Sequence, residues 1–230
     1  MKFSNVTEQH LYLYGVYFQS FKYFHHLRSQ IRSWLKPTRR TSLLASMLFP
    51  QALRNSFVIC PHIRRGDFKS DKVHEPTDPN FTRKAVDFLV QHYQKRHGDI
   101  TVAVMGNDQK FAYRIFQDKL GNPSNSTSNE YNFTTPSESP EYNVFISRSV
   151  TPELDLALSS RFCDVTLITA PSSTFGWWLS YLAKTSAKTY YRDIKETKDK
   201  VAKEMNEDDF YPPDWVKLGT AKNGMIQIVG

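Results

Sequence analysis

The sequence has few cysteines and no long apolar run, and each shortage excludes a class of protein. Only Cys60 and Cys163 occur among the 230 residues, which excludes a disulfide framework and a paired-cysteine zinc site. Both lie in or beside apolar, strand-like runs, so we predict buried structural thiols, with one long-range bridge as the alternative. No apolar stretch approaches the ~18 residues that span a membrane. Residues 1–9 also lack the apolar core of a secretory signal.

Clustered positive charge is missing as well. The formal net charge of +7 favours anionic partners such as nucleotides, nucleic acid or a membrane surface. Lys and Arg are spread along the chain, however, whereas proteins that bind nucleic acid usually carry a basic stripe or a known reading module. We therefore expect no nucleic-acid partner. Four N-glycosylation sequons, which begin at Asn5, Asn80, Asn125 and Asn132, indicate a luminal history.

The sequence does contain a regular alternation of apolar strands and amphipathic helices. Strands are predicted at 57–61, 100–105, 142–147, 165–170 and 188–191, and helices at 20–35, 42–53, 80–97, 109–120, 151–161 and 177–183. This order predicts an α/β protein with a Rossmann-like, doubly wound parallel sheet.

The same pattern predicts how the chain is organised. Residues 1–55 are expected to form a helical segment, and residues 56–230 a Rossmann-like domain. The Ser-, Asn-, Thr- and Pro-rich stretch 121–141 is predicted to be a mobile insert, because the alternation resumes in phase after it. Residues 192–208 are predicted to be a charged, solvated tail.

The most informative motif, His62-Ile63-Arg64-Arg65-Gly66-Asp67, follows the first predicted strand. In open α/β sheets, ligands bind beyond the carboxyl ends of the strands, and paired guanidiniums match phosphate oxygens. Gly66 permits a sharp turn, and Asp67 can bond the loop or hold an arginine in place. The motif predicts an anion site that suits a diphosphate, although a solvated pair of surface arginines is the alternative interpretation.

Two further features follow later strands. Ser172-Ser173-Thr174 lies between a strand and a helix, where free N–H groups and hydroxyls can bind a phosphate; simple N-capping is the alternative. Asp155 lies in the first turn of a predicted helix. It either stabilises the helix dipole or accepts hydrogen bonds from a guanine base.

Together these motifs resemble the α-1,2-fucosyltransferases (galactoside 2-α-L-fucosyltransferases, glycosyltransferase family 11). The matching segments, in chain order, are residues 14–24, 62–68, 104–108, 153–158, 172–178 and 213–215. The resemblance implies the donor-binding half of a GT-B fold and an inverting transfer of L-fucose from GDP-fucose to the 2-hydroxyl of a galactose-terminated glycan. It also implies that no metal or other cofactor is needed, with arginine supplying the charge stabilisation.

The resemblance further implies roles for individual residues. Arg64 and Arg65 would contact the diphosphate and, with Asp67, form the catalytic group, while His62 would help to seat the nucleotide. Asp155 would bind guanine. The turn that carries Ser172, Ser173, Thr174 and Phe175 would hold the β-phosphate.

The sequence departs from the family pattern in two ways. The membrane anchor and the Gly-x-x-x-Asn-Gln loop that usually open these proteins are not found, so we expect Golgi localisation only through an anchor outside this chain. No persuasive general base is evident either. Glu75 and Asp78 lie in a nearby loop, but little in the sequence supports either of them as the base. A catalytically inactive GDP-sugar-binding remnant is the alternative function.

Overall fold

The computed structural model describes residue 12 and residues 19–120, 142–149 and 151–229. Within these residues, seven strands form one sheet in the spatial order β3-β2-β1-β4-β5-β6-β7. The strands are β1 Phe57–Ile63, β2 Ile100–Gly106, β3 Asn143–Ile146, β4 Val165–Ile168, β5 Lys188–Arg192, β6 Val216–Thr220 and β7 Ile226–Ile228. All neighbouring pairs are parallel except β6 and β7. The strand order reverses between β1 and β4, which is the switch point of a doubly wound sheet.

Helices cover both faces of this sheet. They are α1 Arg28–Trp34, α2 Arg39–Leu48, α3 Pro79–His97, α4 Gln109–Phe116, α5 Pro152–Phe162, α6 Thr174–Tyr181 and α7 Glu207–Phe210. Alternate residues of β1 enter two different cores, because successive side chains of a strand point to opposite faces. Ile59 packs with α3 and α4, whereas Val58 packs with α2, α5 and α6. The prediction of an α/β protein with a mostly parallel sheet is confirmed.

Several predicted boundaries are wrong. The helix predicted at 20–35 begins only at Arg28, after two short 3₁₀ turns, Phe21–Tyr23 and His25–Leu27. The helix predicted at 42–53 ends at Leu48, because a residue before proline is disfavoured in the helical region and Phe49 is extended. Helix α6 starts earlier than expected, at Thr174, so the hydroxyl-rich turn leads directly into it.

The predicted solvated tail at 192–208 is also wrong, and strands β6 and β7 were not predicted. Ile194, Asp193 and Asp199 are buried. The two aspartates accept hydrogen bonds from the N–H groups of Lys195 and Val201, two residues further on. Some polar side chains of this segment are thus buried and bonded to the main chain. In the sequence, such residues look the same as the polar residues of a solvated loop.

The two cysteines form a disulfide, so the expectation of free thiols is wrong. Cys60 lies in β1 and Cys163 lies between α5 and β4, with 5.8 Å between their Cα atoms. Both residues are fully buried. The bridge therefore joins the two sides of the switch point below the carboxyl ends of the strands.

Some sequence features lie outside the described residues. These are the insert predicted at 121–141 and the sequons at Asn5, Asn125 and Asn132. Asn80 is exposed in the first turn of α3, but the Thr82 hydroxyl of the same sequon is buried and donates to the Asp78 carbonyl. None of the helices in the described ranges is both long and apolar enough to cross a bilayer.

Candidate active site at the switch point

The loop after β1 and the turn after β4 meet at the switch point; we call them the β1 loop (residues 64–78) and the β4 turn (residues 169–173). Their strand ends are neighbours, with His62 paired in register to Ile168. A chain of hydrogen bonds joins them: the Arg64 N–H donates to Thr77 Oγ1 (2.8 Å), Thr77 Oγ1 contacts Thr169 Oγ1 (2.8 Å), and Thr169 Oγ1 donates to the His62 carbonyl (2.5 Å). Each hydroxyl gives and receives one hydrogen bond, so the floor of the cleft is a fixed polar network.

Arg64 keeps unused hydrogen-bonding capacity at this edge. Its Nη2 donates to Asp67 Oδ2 at 2.7 Å, so Asp67 holds this arginine in place, as one of the two interpretations of the sequence predicted. The guanidinium carbon lies 5.2 Å from the centre of the Phe68 ring. Nε is buried and has no hydrogen-bond partner among the described residues. Arg64 is therefore an oriented cation whose side chain is 28% exposed.

Arg65 is held differently. Its Nη1 donates to the Thr77 carbonyl at 2.9 Å, its Nε lies 3.4 Å from Asp108 Oδ2, and its guanidinium carbon stacks 3.7 Å from the centre of the Phe111 ring. The Arg65 N–H donates to Asn107 Oδ1. The guanidinium therefore supports the β1 loop against the start of α4, and the two arginines, adjacent in sequence, have different surroundings.

Gly66 is needed for space beside Asn107. A Cβ atom at this position would lie 2.6 Å from Nδ2 of Asn107. Asn107 holds the loop through its other amide atom, so a side chain at residue 66 would displace the anchor of Arg65.

His62 is buried inside β1, because the strand extends two residues beyond the predicted end. Burial and then the nearby Arg64 charge lower the pKa of His62 to about 3, so the ring is neutral at physiological pH. Its Nδ1 has no hydrogen-bond partner among the described residues. The ring packs beside Phe175, and a Cβ atom on Gly176 would lie 2.8 Å from Nδ1. The absence of a side chain on Gly176 thus lets α6 approach the histidine.

The three hydroxyl residues of the β4 turn have three different environments. Ser172 is buried and donates to Asp199 Oδ2. Ser173 is also buried and caps α6, its Oγ accepting from the Gly176 N–H at 3.1 Å. Thr174 is exposed at the first position of α6, where the main-chain N–H groups lack partners within the helix. The N-capping interpretation therefore holds for Ser173, while Thr174 and the first turn remain available to an anion.

Asp155 lies on the other side of the switch point, beyond the ends of β2 and β3. Its Oδ1 accepts from the Ser149 hydroxyl and, at 3.3 Å, from the Ser147 hydroxyl. Burial raises the pKa of Asp155 to about 6, although hydrogen bonds from both serines and from the Gly106 N–H oppose the rise. The donors to Asp155 are two serines that follow β3 and the Gly106 N–H, so Asp155 lies at the carboxyl ends of the strands, as predicted, with protein partners of its own.

Three site residues were missed at the sequence level: His74, Thr77 and Asp199. Asp199 is the most buried of the new groups at the β4 turn, with a side chain that is 0% exposed. Asn107 and Asp108 lie in the matched segment 104–108 but were given no role. The sequence motifs that indicate a site lie directly after predicted strands. Asp199 was missed because it lies in a segment further along the chain, between β5 and β6.

An aromatic cavity of about 160 Å³ adjoins the site beyond Thr174. Its lining comprises Gln19, Ser20, Phe21, Phe24, Thr174, Trp177, Trp178 and Phe210. Arg64 and Arg65 are not among these lining residues. Among the described residues, no three His, Cys, Asp or Glu side chains are grouped as a metal site would require.

The fold and the site define a class of protein: a Rossmann-like α/β domain with two arginines and a hydroxyl-rich turn at its switch point. The family model for glycosyl transferase family 11 matches residues 1–219, and the chain belongs to this family. The resemblance seen in the sequence is thereby confirmed.

Two relatives of known name come from Caenorhabditis elegans. One galactoside 2-alpha-L-fucosyltransferase is 54% identical over 228 residues, which is 98% of this chain and 57% of the relative. A second protein of the same name is 37% identical over 224 residues, 97% of this chain and 57% of the relative. The chain thus spans a little over half the length of these relatives. No solved structure gave a significant match.

Proposed function

We propose that this protein binds GDP-L-fucose at the switch-point cleft and transfers fucose to the 2-hydroxyl of a galactose-terminated glycan. The observation that supports this best is the convergence, on neighbouring strand ends, of an oriented, partly exposed arginine and the first turn of α6, where Thr174 is exposed. The names of the two relatives supply the sugar and the linkage. In this proposal the described sheet is the donor-binding half of a GT-B fold, and the described helices between residues 21 and 53 precede it in the chain.

The geometry suits an inverting displacement without a metal. The acceptor oxygen would attack C1 of fucose while the hydroxyl proton passes to solvent, the bond from C1 to the diphosphate would break, and its electron pair would leave with GDP. Negative charge then develops on the β-phosphate. Arg64 and the α6 N–H groups are fixed in advance by Asp67 and by Ser173, so they can stabilise that charge without reorganising.

The nucleoside would extend from the diphosphate along the edge of the sheet. His62 contributes a buried, neutral ring whose Nδ1 faces α6, and Asp155 contributes a carboxylate beyond β2 and β3. For Asp155 to bind guanine, Ser149 or Ser147 would have to exchange its bond for one from the base. A luminal, Golgi location fits the buried disulfide, since such bonds persist in oxidising compartments.

The direct test is turnover. The purified chain is incubated with GDP-fucose and a β-galactoside, and released GDP is measured. Release that depends on the galactoside supports the transferase. GDP binding without release favours the inactive GDP-sugar-binding remnant, and the absence of both contradicts the proposed donor site.

The site assignment is tested by comparing three arginines. We expect Arg64→Ala to weaken GDP binding about tenfold or more, because it removes a charge-assisted contact. Arg65→Ala should weaken GDP binding and also lower stability, because this side chain supports the β1 loop. The matched control is Arg96→Ala. Arg96 is exposed in the last turn of α3, which lies near the amino ends of the strands and away from the proposed site. Equal GDP affinity in all three variants would contradict the assignment.

A further inference from the structure

Asp199 connects three separate segments at the cleft. Its Oδ2 accepts from the Ser172 hydroxyl in the β4 turn and from the Glu75 N–H in the β1 loop (3.1 Å). Its Oδ1 accepts from the Val201 N–H at 3.0 Å, within its own segment. The Lys200 N–H also donates to the Val73 carbonyl, so the same segment contacts the β1 loop twice. A buried carboxylate that satisfies donors from three segments restrains all of them.

The direction of these hydrogen bonds determines what Ser172 can do. A carboxylate only accepts, so the single hydroxyl hydrogen of Ser172 is directed to Asp199. His74 Nδ1 lies 3.0 Å from the same hydroxyl oxygen, so this nitrogen must carry a hydrogen and donate. Ser172 therefore has no hydrogen left to offer a phosphate. Its hydroxyl links His74 of the β1 loop to Asp199.

His74 is itself fixed from a second direction. Its ring stacks on Phe68, with centroids 4.4 Å apart and planes inclined by 16°. Phe68 in turn lies under the Arg64 guanidinium. A continuous set of contacts thus runs from Asp199 through Ser172, His74 and Phe68 to the arginine proposed to bind the diphosphate.

We propose that Asp199 is a positioning residue for the donor diphosphate. It holds the β1 loop through the Glu75 N–H and the β4 turn through Ser172, at the separation that a diphosphate requires, and Ser172 does not itself donate to phosphate. This inference rests on the proposed function and deepens it. It differs from the role that family resemblance implies for Ser172, which is direct contact with the β-phosphate.

The first test compares affinities for GDP and guanosine. Asp199→Asn keeps the shape of the side chain and removes its charge and one acceptor. We expect GDP binding to weaken about tenfold and guanosine binding to stay unchanged, because only the diphosphate needs both loops. Asp193→Asn is the matched control, since Asp193 is a buried aspartate of the same segment that bonds Lys195 rather than the site loops. An equal loss for GDP and guanosine would overturn the proposal.

The second test is a double-mutant cycle on GDP affinity. The double variant Ser172→Ala/Asp199→Asn should weaken GDP binding no more than Asp199→Asn alone, because Ser172 acts only through its bond to Asp199 and residues that share one link are not additive. If Ser172 contacts phosphate directly, its losses will add to those of Asp199→Asn, and that result would overturn the linking role.

A third readout does not depend on GDP. In the ligand-free protein, Asp199→Asn should speed amide hydrogen exchange at Glu75 and at residues 172–174, whereas Asp193→Asn should leave these amides unchanged. Unchanged exchange in Asp199→Asn would reject the positioning role. A wild-type protein that fails to bind GDP would instead reject the proposed function, and the exchange result would still decide whether Asp199 holds the two loops.

Discussion

Two buried aspartates flank the switch point, and the difference between them separates two kinds of polar site. Asp155, on the β2–β3 side, accepts mainly from serine hydroxyls, and burial raises its pKa to about 6. Asp199, on the β4–β5 side, accepts from two main-chain N–H groups as well as from Ser172. Hydroxyls can rotate to other partners, whereas main-chain donors are fixed by the fold. The Asp155 side is therefore adaptable, as suits an exchangeable ligand, and the Asp199 side is a rigid support.

The largest expected effect concerns the disulfide that the two sides share. Replacing both Cys60 and Cys163 by alanine should lower the free energy of unfolding by about 4 kcal/mol, because the bridge closes a loop with a sequence separation of 103 residues. Urea denaturation of the variant and of reduced wild-type protein measures this loss. Identical midpoints for oxidised and reduced wild type would contradict the prediction.

The next effect is a pH dependence confined to the Asp155 side. The pKa of Asp155 is about 6 in the folded chain and near the ordinary 3.8 when unfolded, so the folded state binds the extra proton. The stabilisation is present at low pH and is lost as pH rises from about 4 to about 6. Relative to Asp155→Asn, wild-type stability should fall by about 3 kcal/mol over this window.

Urea titrations at a series of pH values measure this difference. Asp199→Asn serves as the matched carboxylate control from the other side of the switch point. Parallel curves for wild type and Asp155→Asn would show that burial does not perturb Asp155.

A smaller effect compares removal of the two carboxylates at neutral pH. Asp199→Ala leaves the Glu75 and Val201 N–H groups buried without acceptors, and each such group costs about 1–3 kcal/mol. Asp155→Ala leaves mostly rotatable hydroxyls and relieves the burial of a charge. We expect Asp199→Ala to lose about 2 kcal/mol more than Asp155→Ala in chemical denaturation. Equal losses of stability in the two variants would contradict the distinction between a rigid Asp199 side and an adaptable Asp155 side.

The smallest effect separates the neighbouring serines of the β4 turn. Ser173→Ala removes the cap of α6 and should cost about 1 kcal/mol of stability. Ser173→Asn keeps a capping oxygen and should restore most of the loss. Thermal unfolding of both variants measures the effect, and an Asn variant no more stable than the Ala variant would argue against capping.

The sequence predicts the half of the site that local patterns encode. The apolar run before Arg64 indicates a strand, and a glycine and an aspartate after it indicate a turn, so the anion edge follows from neighbouring residues. The cap at Ser173 is similarly local. These features depend on contacts that span only a few positions.

The other half depends on contacts between distant positions. Asp199 lies 124 residues from Glu75 and 27 from Ser172, and no spacing rule connects them. Its segment is polar because its aspartates bond main-chain N–H groups, which in the sequence is indistinguishable from solvation. The sequence did not decide between free thiols and a disulfide for the same reason, since only the adjacency of β1 and β4 brings Cys60 to Cys163.

The sequon at Asn80 carries a consequence for the order of events in biosynthesis. The asparagine is exposed on folded α3, but the Thr82 hydroxyl that completes the sequon is buried and bonded to the Asp78 carbonyl. An enzyme that must reach both residues can do so only while this stretch is still unfolded. Any glycan at Asn80 would therefore be added to the nascent chain, and its presence would record that the chain entered the lumen before α3 closed over the sheet.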